Sequence, residues 1–310
     1  MKENFGESGT GQLRGNIFGG ITAGIVALPL ALAFGVQSGM GAIAGLYGAI
    51  ALGILAAWFG GTATQISGPT GPMTVVSSVV IATEIEASGS LEAALGTILV
   101  IFLLAGVLQI RMGFFKVGQY IQYMPYPVVS GFMTEIGVII ILLQLFPFFG
   151  HVSPNKIPDI LAQLPNLLPL VNYSAVAVAA ATIAVIYLFP KLSKSIPSPL
   201  VALIFVSAVS TLLGLNVLII GDIPTGLPDL QIDALGSIYF AHPRLIVVPA
   251  LTLAALGAID SLLTSLVADN MTKTQHQSDK ELIGQGIGNI GAALIGGIPG
   301  AGATAYSSQY

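Results

Sequence analysis

Asp260 is the residue whose setting most narrows its chemistry. It lies in an apolar run that begins after Arg244 and ends before Asp269. Coiled as a helix rising about 1.5 Å per residue, that run places Asp260 roughly 24 Å from one end and roughly 14 Å from the other. A carboxylate at such depth in an apolar medium is costly unless a cation or a proton neutralises it, so it marks a functional position. Thr264 stands one turn further along the same helix face, and the pair offers hard oxygen ligands of the kind that suit Na+. Lys and Arg are missing at comparable depth in every apolar run, which favours bound Na+ or a proton over an ion pair. Glu135, eight residues after Pro127 and roughly 12 Å into its own run, is a second deep carboxylate. It reads as a proton acceptor or coupling residue, as a pore-facing charge, or as a group facing a polar crevice.

Two glycine- and proline-broken stretches could hold an anion. The first is Ser67-Gly68-Pro69-Thr70-Gly71-Pro72-Met73-Thr74, where Thr70 suits a helix N-cap and Pro72 the first turn. A half-helix starting here near the bilayer middle would present N–H groups without intrahelical partners, and with them a partial positive charge. Thr70, Gly71, Pro72 and Met73 are the resulting candidates. The second stretch, Gly296 to Thr304, repeats the pattern, with Ala303 and Thr304 at the expected helix start. An ordinary polar turn followed by a capped helix would account for either stretch alone. Two of them, each containing or preceded by Gly-Gly (60–61 and 296–297), favour a site, because irregular backbone at membrane depth persists only where protein or a water-filled cavity satisfies it. His151, His242 and His276 fall in loops without ligand spacing and read as solvated; Trp58, Tyr120, Tyr123, Tyr126 and Gln144 suit packing or interfacial belts. The glycines at 284, 286, 288 and 291 suit close helix packing.

The elements that must carry these groups are membrane helices. Of 310 residues, 54% are apolar and only 24 are charged, too few to cover a water-soluble globule of this size. Apolar blocks of crossing length are expected near 16–36, 40–60, 69–83, 91–112, 126–148, 172–190, 198–220, 244–267 and 281–298, with a short segment from about 302. The third, although broken, is expected to cross, part extended and part helical. Residues 1–15 read as a retained cytoplasmic tail and 16–310 as a transmembrane domain. With the N-terminus inside, Lys2, Arg14, Arg111, Lys116, Lys191, Lys194, Lys273 and Lys280 are cytoplasmic, against Lys156 and Arg244 outside. Asp222 to Ser237 then reads as an extracellular loop. A net charge of −4 without a basic patch excludes nucleic-acid binding, and the absence of Cys excludes disulfides and thiolate metal sites. No Ser/His/Asp or metal constellation converges at depth, which argues against a membrane enzyme.

Several motifs carry a resemblance. They are Pro29-Leu30-Ala31-Leu32-Ala33-Phe34-Gly35, Gly45-Leu46-Tyr47-Gly48-Ala49, Gly68-Pro69-Thr70-Gly71-Pro72, Pro125 to Phe132, and Gly296 to Thr304. In these the chain resembles the sulfate permease (SulP) family of anion transporters, and within it the BicA-type sodium–bicarbonate symporters. The resemblance implies an all-α polytopic fold of two inverted seven-segment repeats, in which a core bundle moves against a gate and half-helices 3 and 10 meet near the midplane. The first repeat would cover about 16–220 and a partial second repeat about 244–310, leaving the last four spans and the usual cytoplasmic STAS domain unmatched. It also implies that Asp260, Thr264, Gly302 and Thr304 hold Na+, that bicarbonate lies between Thr70 and Ala303, and that the protein is a homodimer. Leu30 stands where many members have Gln, and Glu135 where a small residue is expected.

The expected function is secondary transport of a small inorganic anion, bicarbonate before sulfate, by Na+ symport with elevator-like movement in the bacterial inner membrane. Na+ would be the coupling ion, with no organic cofactor. Proton-coupled sulfate or dicarboxylate transport and a passive anion channel are the rivals.

Overall fold

The structure is a computed structural model that describes residues 9–123, 125–154, 157–193, 198–219, 228–235 and 243–303. Helices α1 (Gly9–Ser38) and α2 (Ala42–Phe59) form a hairpin, and the chain then extends into strand β1 (Ile66–Gly68) before α3 (Gly71–Ser88). Next come α4 (Leu91–Phe114), a 3-10 turn (Val117–Tyr123), α5 (Tyr126–Phe148), α6 (Ile157–Leu167), α7 (Tyr173–Leu188), α8 (Ser198–Leu212) and the short α9 (Ile232–Leu235). The long α10 (Pro243–Thr272), α11 (Ser278–Leu294) and strand β2 (Ala301–Ala303) complete the described chain. Among the described residues, five helices are long and apolar enough to cross a membrane: α1 from Gly19, α2, α4, the α7 segment through Lys191, and α10 from Arg244. This is an integral, multi-pass membrane protein.

Local chemistry explains several boundaries. Ser90 caps α4 by accepting the Ala93 N–H at 3.2 Å, and Gly89, at φ 85°, ends α3 in a conformation that costs other residues a Cβ clash. Asn172 caps α7 by accepting from the Ser174 and Ala175 N–H groups. The expected spans agree with the helices to within about five residues, except that α1 starts at Gly9 rather than 16 and α8 ends at Leu212, well short of the expected 220. Amphipathic α6, which the sequence reading did not anticipate, buries Ile160 and Leu167 against Leu143 and Phe146 of α5. Half of the loop expected from Asp222 to Ser237, and the helix expected from Thr304 onward, lie outside the described residues, and the described part of that loop, 228–235, includes the short α9.

Packing divides the helices unequally. The main core draws on α2, α3, α4, α10 and α11, with Phe102, Ile98, Leu253 and Ile298 fully buried. Helix α11 threads between α2 and α4 because its glycines remove the side chains that would hold it off. A Cβ at Gly284 would strike the Gly60 backbone, and one at Gly286 the backbone of Gly106. Helices α5 to α8 form a thinner layer whose outer faces leave Leu212, Ile204 and Tyr187 exposed, as suits lipid contact or further helices. Trp58, Tyr120 and Tyr123 are also exposed, consistent with interfacial aromatics.

The broken third segment crosses this bundle. It starts at Gly61, whose N–H donates to Glu281 beside the α10–α11 connection. It ends at Ser88, which shares a cavity with Arg244 at the opposite end of α10.

Candidate ion-binding site

The two broken stretches meet in the bundle interior. Strands β1 and β2 pair antiparallel, with Ile66 opposite Ala303, Ser67 opposite Gly302 and Gly68 opposite Ala301. The strands satisfy each other's backbone where no helix can, which allows non-helical chain at this depth. The crossing is tight: a Cβ at Gly300 would overlap the carbonyl of Gly68, and one at Gly302 would overlap the Gln65 side-chain amide.

Helix α3 begins directly after β1. Its first intrahelical bond is from Thr74 N–H to Thr70 C=O at 2.9 Å, so the Gly71 and Met73 N–H groups have no intrahelical acceptor. Gly71, Pro72 and Met73 are buried. Thr70 occupies the N-cap position, yet its hydroxyl makes no cap bond. Instead, Thr70 Oγ1 donates to Asp260 Oδ2 at 2.7 Å. This corrects the expectation of a Thr70 cap: the hydroxyl ties the start of α3 to the deep carboxylate, and the helix keeps its free N–H groups.

Asp260 is buried, and among the described residues its hydrogen-bond partner is Thr70. Thr264 is completely buried one turn away, and its hydroxyl oxygen has no partner. A buried hydroxyl left unpaired is unfavourable in a dry interior, so Thr264 and the second carboxylate oxygen of Asp260 fit a hard cation by donor type. Ala303 completes β2 and packs with Val26 of α1. Thr304, expected to serve both ions, lies outside the described residues. Glu135 is exposed on α5 and is not brought into this cluster. An apolar crevice of about 440 Å³ separates Val26, Pro29 and Leu30 of α1 from α7 and α8, including Thr182 and Val206. It places Leu30 between the two bundles, near the β2 end.

Sequence reasoning missed the polar frame around the site. Asn289 on α11 accepts the Gly300 N–H at 2.8 Å and donates to Gly300 O at 3.1 Å and to Gln109 Oε1 at 2.7 Å. One and two turns earlier, Gln285 donates to Ser67 Oγ at 2.5 Å and to Glu281 Oε1 at 2.8 Å. Glu281, Gln285 and Asn289 are spaced by four and all buried, a polar stripe that could have been read from the sequence. His276 also departs from the expectation of a solvated loop residue. Its Nδ1 lies 2.6 Å from Asp269 Oδ2 and its Nε2 2.9 Å from Ser278 Oγ, so it ties α10 to α11. His151 Nε2 lies 2.6 Å from Leu170 O, while His242 falls outside the described residues.

A fold of long apolar helices in which two broken segments cross beside a buried carboxylate defines a membrane-transporter class of architecture. A model of the sulfate permease family matches residues 13–309, and the chain belongs to that family. It is 46% identical over 299 residues to the bicarbonate transporter BicA of Picosynechococcus sp. (strain PCC 7002), covering 94% of this chain and 52% of that protein. It is 32% identical over 303 residues to the putative sulfate transporter YvdB of Bacillus subtilis, covering 94% and 54%. The chain thus spans about half the length of the curated relatives it matches. The structure also matches the transmembrane domain of a cyanobacterial bicarbonate transporter BicA with a TM-score of 0.85 at 45% identity, over 96% of this chain and 76% of that one. The structure of SLC26A9, at TM-score 0.76 and 19% identity, covering 94% of this chain and 49% of that one, shares the fold. These relatives are named as transporters rather than enzymes.

Proposed function

We propose that the protein carries a small inorganic anion, bicarbonate in preference to sulfate, across the bacterial inner membrane together with Na+. The observation that carries this reading is the hydrogen bond from Thr70 to Asp260, which joins the free N–H end of α3 to a carboxylate that has no cationic side-chain partner among the described residues. An anion at Gly71 to Met73, with Ala303 opposite, would be repelled by an uncompensated Asp260. At roughly 6 Å and an effective dielectric near 20, that repulsion is about 3 kcal/mol, about a hundredfold in affinity. Na+ held by Asp260 and Thr264, with Gly302 beside them, removes the repulsion, so binding of each ion favours the other. The core of α1 to α4, α10 and α11 then moves as a unit against α5 to α8, with the N-terminus cytoplasmic and two copies forming a homodimer.

The test is uptake of isotope-labelled bicarbonate by the full polypeptide in proteoliposomes, with and without Na+. Uptake that requires Na+ and is lost in Asp260→Asn is expected. Uptake indifferent to both would sink the symport reading. Sulfate competing better than bicarbonate, with dependence on a proton gradient, would favour the rival proton-coupled transport, and non-saturating currents would indicate a channel.

A further inference from the structure

We infer that the cation at Asp260 exchanges with the cytoplasmic side through a hydroxyl-lined route inside the core bundle, running along α10 to a cavity beneath the α10–α11 connection. This deepens the reading of Asp260 as a cation site and rests on it.

The route is a chain of contacts. Helix α10 carries two adjacent polar pairs, Asp260 with Thr264 and Ser261 with Ser265, and all four are buried. Ser261 Oγ accepts the Gly302 N–H at 3.1 Å, which places this stripe against β2. Gln65 runs alongside, its amide nitrogen 3.4 Å from Ser261 O and its carbonyl oxygen 2.5 Å from Ser265 Oγ. Ser265 Oγ lies 2.9 Å from Thr62 Oγ1, and Thr62 lines a cavity of about 310 Å³ with Asp269, His276 and Lys280. Side-chain oxygens thus run from Ser261, next to Asp260 in α10, by Gln65 and Ser265 to Thr62 at the cavity, and Asp269 in the cavity wall lies about nine helical residues, or roughly 14 Å, from Asp260.

Two further observations favour conduction over mere packing. The hydroxyl of Thr264, one turn from Asp260 and next to Ser265, is buried without a partner, so an oxygen ligand is left over for an ion or its water; Thr74 and Ser77 on α3 are left in the same way. The route is also one-sided. From Asp260 toward Arg244, the buried face of α10 is Ala258, Gly257, Ala254, Leu253, Ala250 and Ile246, with no side-chain ligand. The hydroxyls of Thr74, Ser77 and Ser78 on α3 extend for about one turn before Val80 and Ile81 close that direction. At the mouth, Asp269 is engaged by His276 and Thr274, and Lys280 contributes a positive charge. The cavity therefore admits ions without trapping a cation.

The sequence contains no Cys, so single introduced thiols report directly. Ser261→Cys, Ser265→Cys and Thr62→Cys, with Leu263→Cys as an apolar control on the same helix, are made in the full polypeptide in sided membrane vesicles. The probe is Ag+ in nitrate medium, an ion between Na+ and K+ in size that binds thiolate; the readout is loss of later maleimide labelling. Ag+ from the α10–α11 side is expected to block positions 62, 265 and 261, severalfold more slowly in Na+, and to leave Leu263→Cys free. Labelling at 261 and 265 as resistant as at 263, or blocking unaffected by Na+, would overturn the route. That result with Na+-dependent uptake still sensitive to Asp260→Asn would leave the cation site standing, whereas uptake indifferent to Asp260→Asn would remove the site itself. As a second measurement, Ser265→Val should slow 22Na+ exchange severalfold and Ser265→Thr should restore it; equal rates in the two would also overturn the proposal.

Discussion

Replacing Asn289 by Ala tests whether the polar stripe of α11 holds β2 in place. The substitution removes three hydrogen bonds, two to the backbone of Gly300 and one to Gln109, all in the interior. Measured side-chain hydrogen bonds between membrane helices average roughly 0.6 kcal/mol, so the three together are worth about 2 kcal/mol. The larger penalty of about 1 to 3 kcal/mol per orphaned buried group applies where no relaxation is possible, which makes the first figure a lower bound. Gly300 precedes the strand that carries Gly302, so the cost falls on the position of β2 beside Asp260. If all of it appears as lost preorganisation, the apparent Na+ affinity falls about thirtyfold. The assay is Na+ dependence of labelled-anion uptake together with thermal unfolding of the detergent-solubilised protein. Asn289→Ala should lower the melting temperature and raise the half-saturating Na+ concentration, and Asn289→Asp, which keeps the acceptor for the Gly300 N–H, should lie between. An Asn289→Ala protein with unchanged melting and unchanged Na+ dependence would refute the reasoning.

Two more predictions follow from neighbouring contacts. Gly302→Ala forces a Cβ into the Gln65 amide and should reduce uptake about tenfold or more. Adding Gln65→Ala makes room, so the double variant should be more stable than the sum of the two single losses, measured as a double-mutant cycle in thermal unfolding. Glu281→Ala orphans the Gly61 N–H and one amide contact of Gln285 and should destabilise by about 2 kcal/mol or more, whereas Glu281→Gln, which keeps an acceptor for Gly61, should lose less than half as much on the same unfolding readout.

Much of the architecture was legible in the chain because the bilayer imposes a length rule: a crossing helix needs about 20 apolar residues, and such blocks show in one dimension. The depth of Asp260 followed from the same arithmetic. So did the extended-then-helical form of the segment at Gly68 to Pro72, because glycine and proline interrupt helices for local reasons. The partner of Thr70 was not legible. A cap bond is a local preference of the residue, but the structure brings Asp260 within 2.7 Å from 190 positions away, and the hydroxyl donates to the carboxylate instead. The partners of His276 were not legible for the same reason, since they depend on how the α10–α11 connection folds back.

By itself, then, the sequence determined the membrane setting, the helical segments, the two broken stretches and the deep carboxylate Asp260 of α10, because each depends on composition along the chain. Only the tertiary structure decided that the broken stretches pair as β1 and β2, that Thr70 joins Asp260, and that Gln65, Ser261 and Ser265 line up toward one end. Those contacts link residues about 200 positions apart, and side-chain oxygens reach one another only after glycines at 284, 286 and 302 let backbones approach closely. Which polar groups share a dry interior is a property of packing, and packing is settled in three dimensions.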